Sequence, residues 1–356
     1  MKYLTLGHSG LQVSQYVLGT LTFGGDRGFD RAGSVDLKQA KRFIDLSVEA
    51  GINAIDTANL YSYGQAEEIV GEAIRERRDD LLIFSKARFR VRPGPNGSGA
   101  SRAHLIPEVE GSLKRLGTDR LDVFWVHGWD GVTPIEETLD TLSTLVRAGK
   151  IRYWGVSNYS GWQLARTVTL AQERGLVPPI AQQIYYTPEG RDAEYELLPA
   201  GRELGVSAMI WSPLGQGLFN GKIDRDHPPE DGTRQGSTWT EPHVPDRERL
   251  YRIIDVVREV ANETGRSLPQ VALAWVRDRP NVDTLVLGAR TEAQLVDNLA
   301  SIDLVLTPEQ AQRIEEAGRP PANYPFWHRA QLALDRPSPS EEGYLKGWLA
   351  LQGLGD

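Results

Sequence analysis

Four polar residues each stand at or just beyond the end of an apolar, strand-like run: Asp56 in "INAID", Tyr61 in "TANLY", Lys86 in "LLIFSKA" and His127 in "VFWVHGWD". Singly, each has an ordinary structural reading. Asp56 caps a turn, Lys86 snorkels to the surface, and His127 is a satisfied structural histidine. Jointly they make a proton-transfer device. A tyrosine hydroxyl can protonate a carbonyl oxygen only if its pKa is brought down from about 10 toward working pH, and a neighbouring ammonium favours the phenolate. Lys86 supplies that charge, Asp56 holds Lys86 by an ion pair, and His127 orients the carbonyl by hydrogen bonding. The set contains no nucleophile and no metal ligands, so it needs an external hydride donor.

Positioning four such residues takes a repeating scaffold. Strand-like runs fall at 16–20, 53–56, 81–85, 121–127, 151–157, 180–184, 207–212 and 284–288. Helical periodicity falls at 37–50, 66–76, 107–116, 135–148, 160–174, 193–204, 268–278 and 292–301. Runs apolar on both faces that alternate with helices predict a parallel sheet, and eight such units predict an α/β fold, the (β/α)8 TIM barrel. The start "YLTLGHSGLQVS" reads as a hairpin that plugs the barrel bottom. The loops 89–101 and 214–246 read as catalytic-face walls, the first Gly- and Pro-rich and expected to be mobile. One domain spans 1–356, with a barrel core of about 14–304 and a C-terminal extension of about 305–356.

Composition narrows the function. A net charge of −8 argues against a nucleic-acid surface, and the absence of cysteine excludes disulfides, thiolate metal sites and a Cys nucleophile. The N-terminus lacks the apolar core of a secretory signal, and no stretch is long and apolar enough to span a membrane, so the expectation is a cytoplasmic protein without a membrane partner. A metal-dependent hydrolase on the same barrel needs several converging ligands, usually with His on the first strand, and "YVLGTLTFGG" has none.

The segments "IDTANLYSYGQAEEIVGEAI", "FSKA", "LDVFWVHGWD", "GKIRYWGVSN", "QQIYY", "WSPLGQGLFNGK" and "GARTEAQLVDN" resemble the aldo-keto reductase family, in the family's order and over nearly the whole chain. The resemblance implies Tyr61 as general acid/base, with Asp56, Lys86 and His127 completing a catalytic tetrad. It implies an oxidoreductase acting on the CH–OH group of donors, reducing an aldehyde or ketone or running the reverse oxidation. NADP(H) is the favoured cofactor and NAD(H) an admissible one.

By the same resemblance Ser157, Asn158 and Gln183 hold the nicotinamide carboxamide, with Tyr185 or Tyr186 stacking on the ring or else lying in the core. Gly19, Thr20, Trp211, Ser212, Pro213, Leu214, Gly217, Lys222 and Gly288 are further cofactor positions, the stretch after Trp211 offering backbone amides to the pyrophosphate. Phe219 and Asn220 stand where the family often has Leu followed by Ser or Thr. The helix begun by "GARTEAQLVDN" presents an anion-binding N-terminus, with Arg290 toward a 2'-phosphate and Gln294 and Asn298 toward the adenosine. Phe23, Trp129 and Trp239, with Tyr63 and Trp125, are candidates for an aromatic substrate pocket, or else packing residues. A small-molecule carbonyl or alcohol is the expected partner, and the apolar C-terminus packs on the barrel or in a homo-oligomer. The alternative is an NADP-binding regulatory or scaffold subunit with little turnover, as some members of the family are.

Overall fold

The computed structural model describes residues 1–25, 28–230, 234–236 and 241–351. Ten strands run β1 (Tyr3–Thr5), β2 (Gln12–Ser14), β3 (Tyr16–Gly19), β4 (Ala54–Asp56), β5 (Leu82–Ala87), β6 (Leu121–Val126), β7 (Ile151–Ser157), β8 (Ala181–Tyr185), β9 (Ser207–Trp211) and β10 (Thr284–Leu287). Strands β3 to β10 pair in sequence order and close into an all-parallel eight-stranded barrel, a (β/α)8 TIM barrel. All eight expected barrel strands are present, with ends moved by no more than two residues.

Helices α1 (Leu37–Glu49), α2 (Gln65–Ala73), α3 (Arg102–Leu116), α4 (Ile135–Arg147), α5 (Gly161–Glu173) and α6 (Leu197–Glu203) follow the strands β3 to β8 in turn. The α3 helix starts five residues before the expected boundary at Pro107, because a proline in the second turn removes one hydrogen bond without ending the helix. After β9 come two helices rather than one, α7 (Arg247–Thr264) and α8 (Leu268–Arg277). The sequence reading had no place for α7. Its buried positions Leu250, Ile253, Ile254, Val257, Val260 and Ala261 repeat at helical spacing, and Asp246 caps its first turn by accepting from the Arg249 amide. The α9 helix (Glu292–Leu299) follows β10, and α10 (Pro308–Ala317), α11 (Phe326–Leu332) and α12 (Glu342–Leu351) form the C-terminal extension. Phe326, Ala330, Tyr344, Leu345 and Leu349 of that extension are buried in the same apolar cluster as α7 and α8. Tyr324, Trp327 and Leu332 are left exposed.

The barrel interior is a separate cluster that includes Val17, Ala54, Phe84, Val123, Trp125, Ala181, Met209 and Val286. The β1–β2 hairpin closes its bottom as the sequence predicts. Leu6 and Val13 join that interior cluster, the Gly7 amide donates to Ser207 Oγ at 2.8 Å, and the His8 amide donates to the Gly205 carbonyl at 3.0 Å. Gly7 has φ +52, and a Cβ there would lie 2.1 Å from the Ile180 carbonyl oxygen, so only glycine fits this close approach.

Candidate active site

Side chains on a strand alternate faces, so the interior residues fix which neighbours look into the mouth. Counting by two from Ala54, Phe84, Val123, Ala181 and Met209 gives Asp56, Lys86, Trp125 and then His127, Gln183 and then Tyr185, and Trp211. The carboxyl ends of five strands thereby deliver one polar constellation. Asp56 pairs in register with Phe84, two residues before Lys86, which sets the two charged side chains diagonally across β4 and β5.

Lys86 has no solvent exposure, and its ammonium donates to Asp56 Oδ2, to the Thr57 carbonyl at 2.9 Å and to the Tyr61 hydroxyl at 3.1 Å. All three ammonium hydrogens are therefore placed. Gln183 Nε2 donates to the other Asp56 oxygen at 3.0 Å. The His127 ring stands edge-on to the Tyr61 ring at 6.0 Å and 4.8 Å from the Phe89 ring. All four expected catalytic residues thus converge.

Burial alone would lower the Lys86 pKa, but the Asp56 carboxylate and the hydrogen bonds to Asp56 and Tyr61 outweigh it, so the pKa is raised and Lys86 is an ammonium at neutral pH. Tyr61 departs from expectation. Burial raises its hydroxyl above the usual tyrosine value, against the pull of Lys86 and Arg234. The main cause is desolvation of the ring, and the Asp56 carboxylate opposes part of the Lys86 field. Tyr61 is thus a protonated phenol, the form that donates. Burial, then Lys86 and Arg88, push the His127 imidazole well below its usual value, so it is neutral. Its Nδ1 is buried with no hydrogen bond among the described residues.

The loop carrying Tyr61 is tightly held. The Thr57 amide donates to the Phe84 carbonyl at 2.9 Å and the Asn59 amide to the Lys86 carbonyl at 3.0 Å. Ser62 and Tyr63 both take left-handed backbone angles, with φ of 48 and 49. The Ser62 hydroxyl donates to the Phe23 carbonyl at 3.1 Å and accepts from the Gly25 amide at 3.0 Å. The loop at 89–101, expected to be mobile, is instead tied down. Arg88 donates to the Trp129 carbonyl at 2.8 Å, the Ala100 amide donates to Asp130 Oδ2 at 2.7 Å, and Arg92 Nε donates to Glu108 at 3.2 Å. Composition reads backbone freedom there but does not see these side-chain tethers.

Among the expected cofactor residues, Ser157, Asn158, Gln183 and Trp211 meet at the mouth. Asn158 has φ 57 and donates to Ser157 Oγ at 3.1 Å, and Trp211 Nε1 donates to Asn158 Oδ1 at 2.9 Å. Tyr185 lies beside Trp211 with ring centroids 5.0 Å apart. Tyr186, of opposite parity, points into the helix layer against Trp275 and is a core residue. After β9, Ser212, Gly215, Gln216 and Gly217 all have positive φ around the half-buried Leu214 and the buried Pro213. In such a turn backbone amides can face one concavity, but here the Gly215 and Gly217 amides donate to the Ser212 and Leu214 carbonyls at 2.8 and 3.1 Å and Pro213 has none, so donors for a ligand lie among Ser212, Leu214 and Gln216. Lys222 is exposed beyond it. At the start of α9, Gly288 has open space around its Cα, Gln294 accepts from the Arg290 amide at 2.9 Å, and Thr291 caps the first turn. Arg290 donates to the Arg31 and Ala32 carbonyls. Asn298 is buried and donates to the Gly288 carbonyl at 3.3 Å, while Gln294 is exposed, so the two do not present one open face.

Several of the expected ligand positions also make structural contacts within the protein. Thr20 is fully buried, its hydroxyl donating to the Asp56 carbonyl at 3.1 Å. Gly19 lies where a Cβ would come 2.7 Å from Val286, so β3 needs glycine to pack on β10. Phe23 is fully buried, its ring edge-on to Phe43 of α1 at 6.3 Å, and does not line the mouth. Trp125 fills the barrel below the mouth, against Phe84. Trp129 does reach the rim, beside Tyr159 and the exposed Trp162. Tyr63 is exposed and edge-on to Phe29, and Trp239 lies outside the described residues. The sequence reading missed Arg234, in the long loop after β9. Its guanidinium donates to the Ala32 carbonyl at 2.6 Å, and its field reaches both Tyr61 and Arg290. Burial lowers its pKa to about 10, so it stays cationic. Nothing in the local pattern of that loop singles this arginine out.

A closed parallel barrel with a buried Asp–Lys–Tyr chain and a neutral histidine at its carboxyl mouth defines a barrel protein equipped for proton transfer. The chain belongs to the Aldo/keto reductase family, whose pattern it matches over residues 16–319; this is an oxidoreductase family that generally uses NAD(P)H. It is similar to a "Probable voltage-gated potassium channel subunit beta" of Oryza sativa subsp. japonica, 36% identical over 88% of this chain and 96% of that protein. A protein of Arabidopsis thaliana with the same name is 36% identical over 89% of this chain and 96% of its own length. The "Uncharacterized oxidoreductase YrpG" of Bacillus subtilis (strain 168) is 34% identical over 87% and 93%. Among the described residues no helix is long and apolar enough to cross a membrane, and no group of His, Cys, Asp or Glu is arranged to hold a metal ion.

Proposed function

We propose that this protein reduces an aldehyde or ketone to an alcohol, or runs the reverse oxidation, with NADPH favoured over NADH. The observation that carries the reading is the buried Lys86 ammonium shared between Asp56 and the Tyr61 hydroxyl, at 3.1 Å from the latter. The bound cofactor supplies the hydride. Tyr61 gives its proton to the carbonyl oxygen, Lys86 stabilises the phenolate that results, and Asp56 keeps Lys86 in place with help from Gln183. The neutral His127 donates a hydrogen bond to the same oxygen and so aligns the carbonyl.

The residues at the mouth fit a dinucleotide. Ser157, Asn158 and Gln183 offer amide and hydroxyl groups beside the tetrad, and the Ser212–Gly217 turn offers backbone amides. Arg234 and Arg290 add positive charge where a phosphate would lie. Arg290 is engaged with the Arg31 and Ala32 carbonyls, so contact with a 2'-phosphate requires exchange of those bonds. The expected test is single-turnover absorbance of bound NADPH mixed with simple aldehydes and ketones. Rapid oxidation supports the reading, and none across a broad panel refutes it.

A second reading follows from the relatives named as potassium channel subunits: a cofactor-binding regulatory subunit with little turnover. The same panel separates them, because that role predicts tight NADPH binding with turnover near the uncatalysed rate.

A further inference from the structure

Behind the Tyr61 loop lies a buried carboxylate that the proton-transfer scheme does not use. Glu108 projects from α3 with 6% exposure and reaches two different loops with its two oxygens. Oε2 accepts from Asn59 Nδ2 at 2.9 Å, and Asn59 sits midway between Asp56 and Tyr61. Oε1 accepts from Arg92 Nε at 3.2 Å, in the loop that presents Phe89 to His127.

The other anchors of the Thr57–Asn59 segment come from β5, through the Phe84 and Lys86 carbonyls and the Lys86 ammonium. The bond from Asn59 to Glu108 is its tie to another element. It is also the one hydrogen bond of the Asn59 side chain among the described residues, since Asn59 Oδ1 is buried with no partner. On the far side, His104 is buried, with Nδ1 3.2 Å from the Asn96 carbonyl and 3.8 Å from Glu108 Oε1. Burial lowers the His104 pKa, so it is neutral and its Nδ1–H donates to Asn96, again holding the 89–101 loop.

We propose that Glu108 is a positioning residue. Through Asn59 it sets the Tyr61 hydroxyl, through Arg92 it sets the Phe89 side of the mouth, and one carboxylate thereby keeps the proton donor in register with the wall that holds the carbonyl. This rests on Tyr61 being the acid/base. The two oxygens predict separable effects. Asn59→Ala lowers kcat with little change in KM, and Arg92→Ala raises KM with kcat largely kept. Glu108→Ala does both.

The test measures kcat per cofactor-binding site, KM and cofactor affinity for Glu108→Ala, Glu108→Gln, Asn59→Ala, Arg92→Ala and the Glu108→Ala/Asn59→Ala pair. Losing a hydrogen bond to a charged group should lower kcat per site on the order of tenfold in Glu108→Ala, with cofactor affinity within about twofold. The double variant should be no slower than either single variant, because both remove the same contact. Glu108→Gln should recover most of the lost kcat, since its amide oxygen still accepts from Asn59, but not the KM, since its NH2 cannot accept from Arg92. A kcat per site in Glu108→Ala within about twofold of wild type overturns the proposal, as do effects of Glu108→Ala and Asn59→Ala that multiply. Tyr61→Phe in the same series keeps the two readings apart. If Tyr61→Phe retains turnover, the acid/base assignment itself has failed. If it is inactive while Glu108→Ala is normal, the positioning role alone has failed.

Discussion

Replacing Lys86 by methionine keeps an unbranched side chain one atom shorter and removes its charge, leaving Asp56 buried at 2% exposure without its counter-ion. The bonds to Asp56, the Thr57 carbonyl and the Tyr61 hydroxyl go together. Breaking one partner of a buried pair costs about 3–5 kcal/mol, because the surviving charge stays desolvated. Against a total folding stability of about 5–15 kcal/mol, that is a large fraction. Adding Asp56→Asn removes the stranded charge while its amide oxygen still accepts from Gln183. The pair variant should then be more stable than Lys86→Met alone by about 2 kcal/mol.

The pH dependence has a definite sign. In Lys86→Met, burial raises the folded pKa of Asp56 above its unfolded value of about 3.9, so the folded state binds the proton more tightly. Stability of the variant therefore falls as pH rises above about 4, and its deficit relative to wild type widens toward neutrality. Urea unfolding of the four proteins at several pH values measures both effects. A loss under about 1 kcal/mol for Lys86→Met, or losses for Lys86→Met and Asp56→Asn that simply add, would refute the ion-pair argument.

Tyr61→Phe should keep NADPH binding and lose turnover by about two to four powers of ten, read by cofactor titration and steady-state rates; near-normal turnover would sink the acid assignment. Arg290→Ala should weaken NADPH more than NADH in equilibrium titrations, and equal losses would contradict a role at the 2'-phosphate. It also removes the bonds to Arg31 and Ala32. His127→Gln should flatten stability at acidic pH. His127 is depressed in the fold, so below the unfolded value of about 6.5 the unfolded chain binds more protons and wild-type stability falls as pH drops. An unchanged slope in the variant would mean that His127 is not held neutral.

The barrel was legible because its strands are buried on both faces, so short apolar runs recur between helices. Asp56, Lys86 and His127 were legible because they terminate such runs. Parity along the same strands also settles residues that a list of aromatics leaves open. Tyr185 shares a face with Gln183 and Tyr186 does not, and Trp125 lies two residues below His127 inside the barrel. Phe23 escaped this count because it lies in a loop, where no alternation applies, and its packing on Phe43 depends on how α1 returns. The α7 helix carries a plain helical repeat, but a pattern of one helix per strand has no place for a second helix after β9. Arg234, Asn59 and Glu108 are of another kind. Their partners are far apart in sequence, and only the closed fold sets them beside the mouth.

The two left-handed residues after Tyr61 bear on how this loop can change over generations. Ser62 and Tyr63 each hold a conformation that costs an L-residue about 1–2 kcal/mol, and neither is the glycine or asparagine that would relieve it. A lineage drifting under pressure for thermal robustness alone would gain by substituting glycine at Tyr63, whose side chain is exposed. The same exchange would loosen the backbone beside the Tyr61 hydroxyl, because glycine has more conformations open to it. Durability and aim therefore pull this loop in opposite directions.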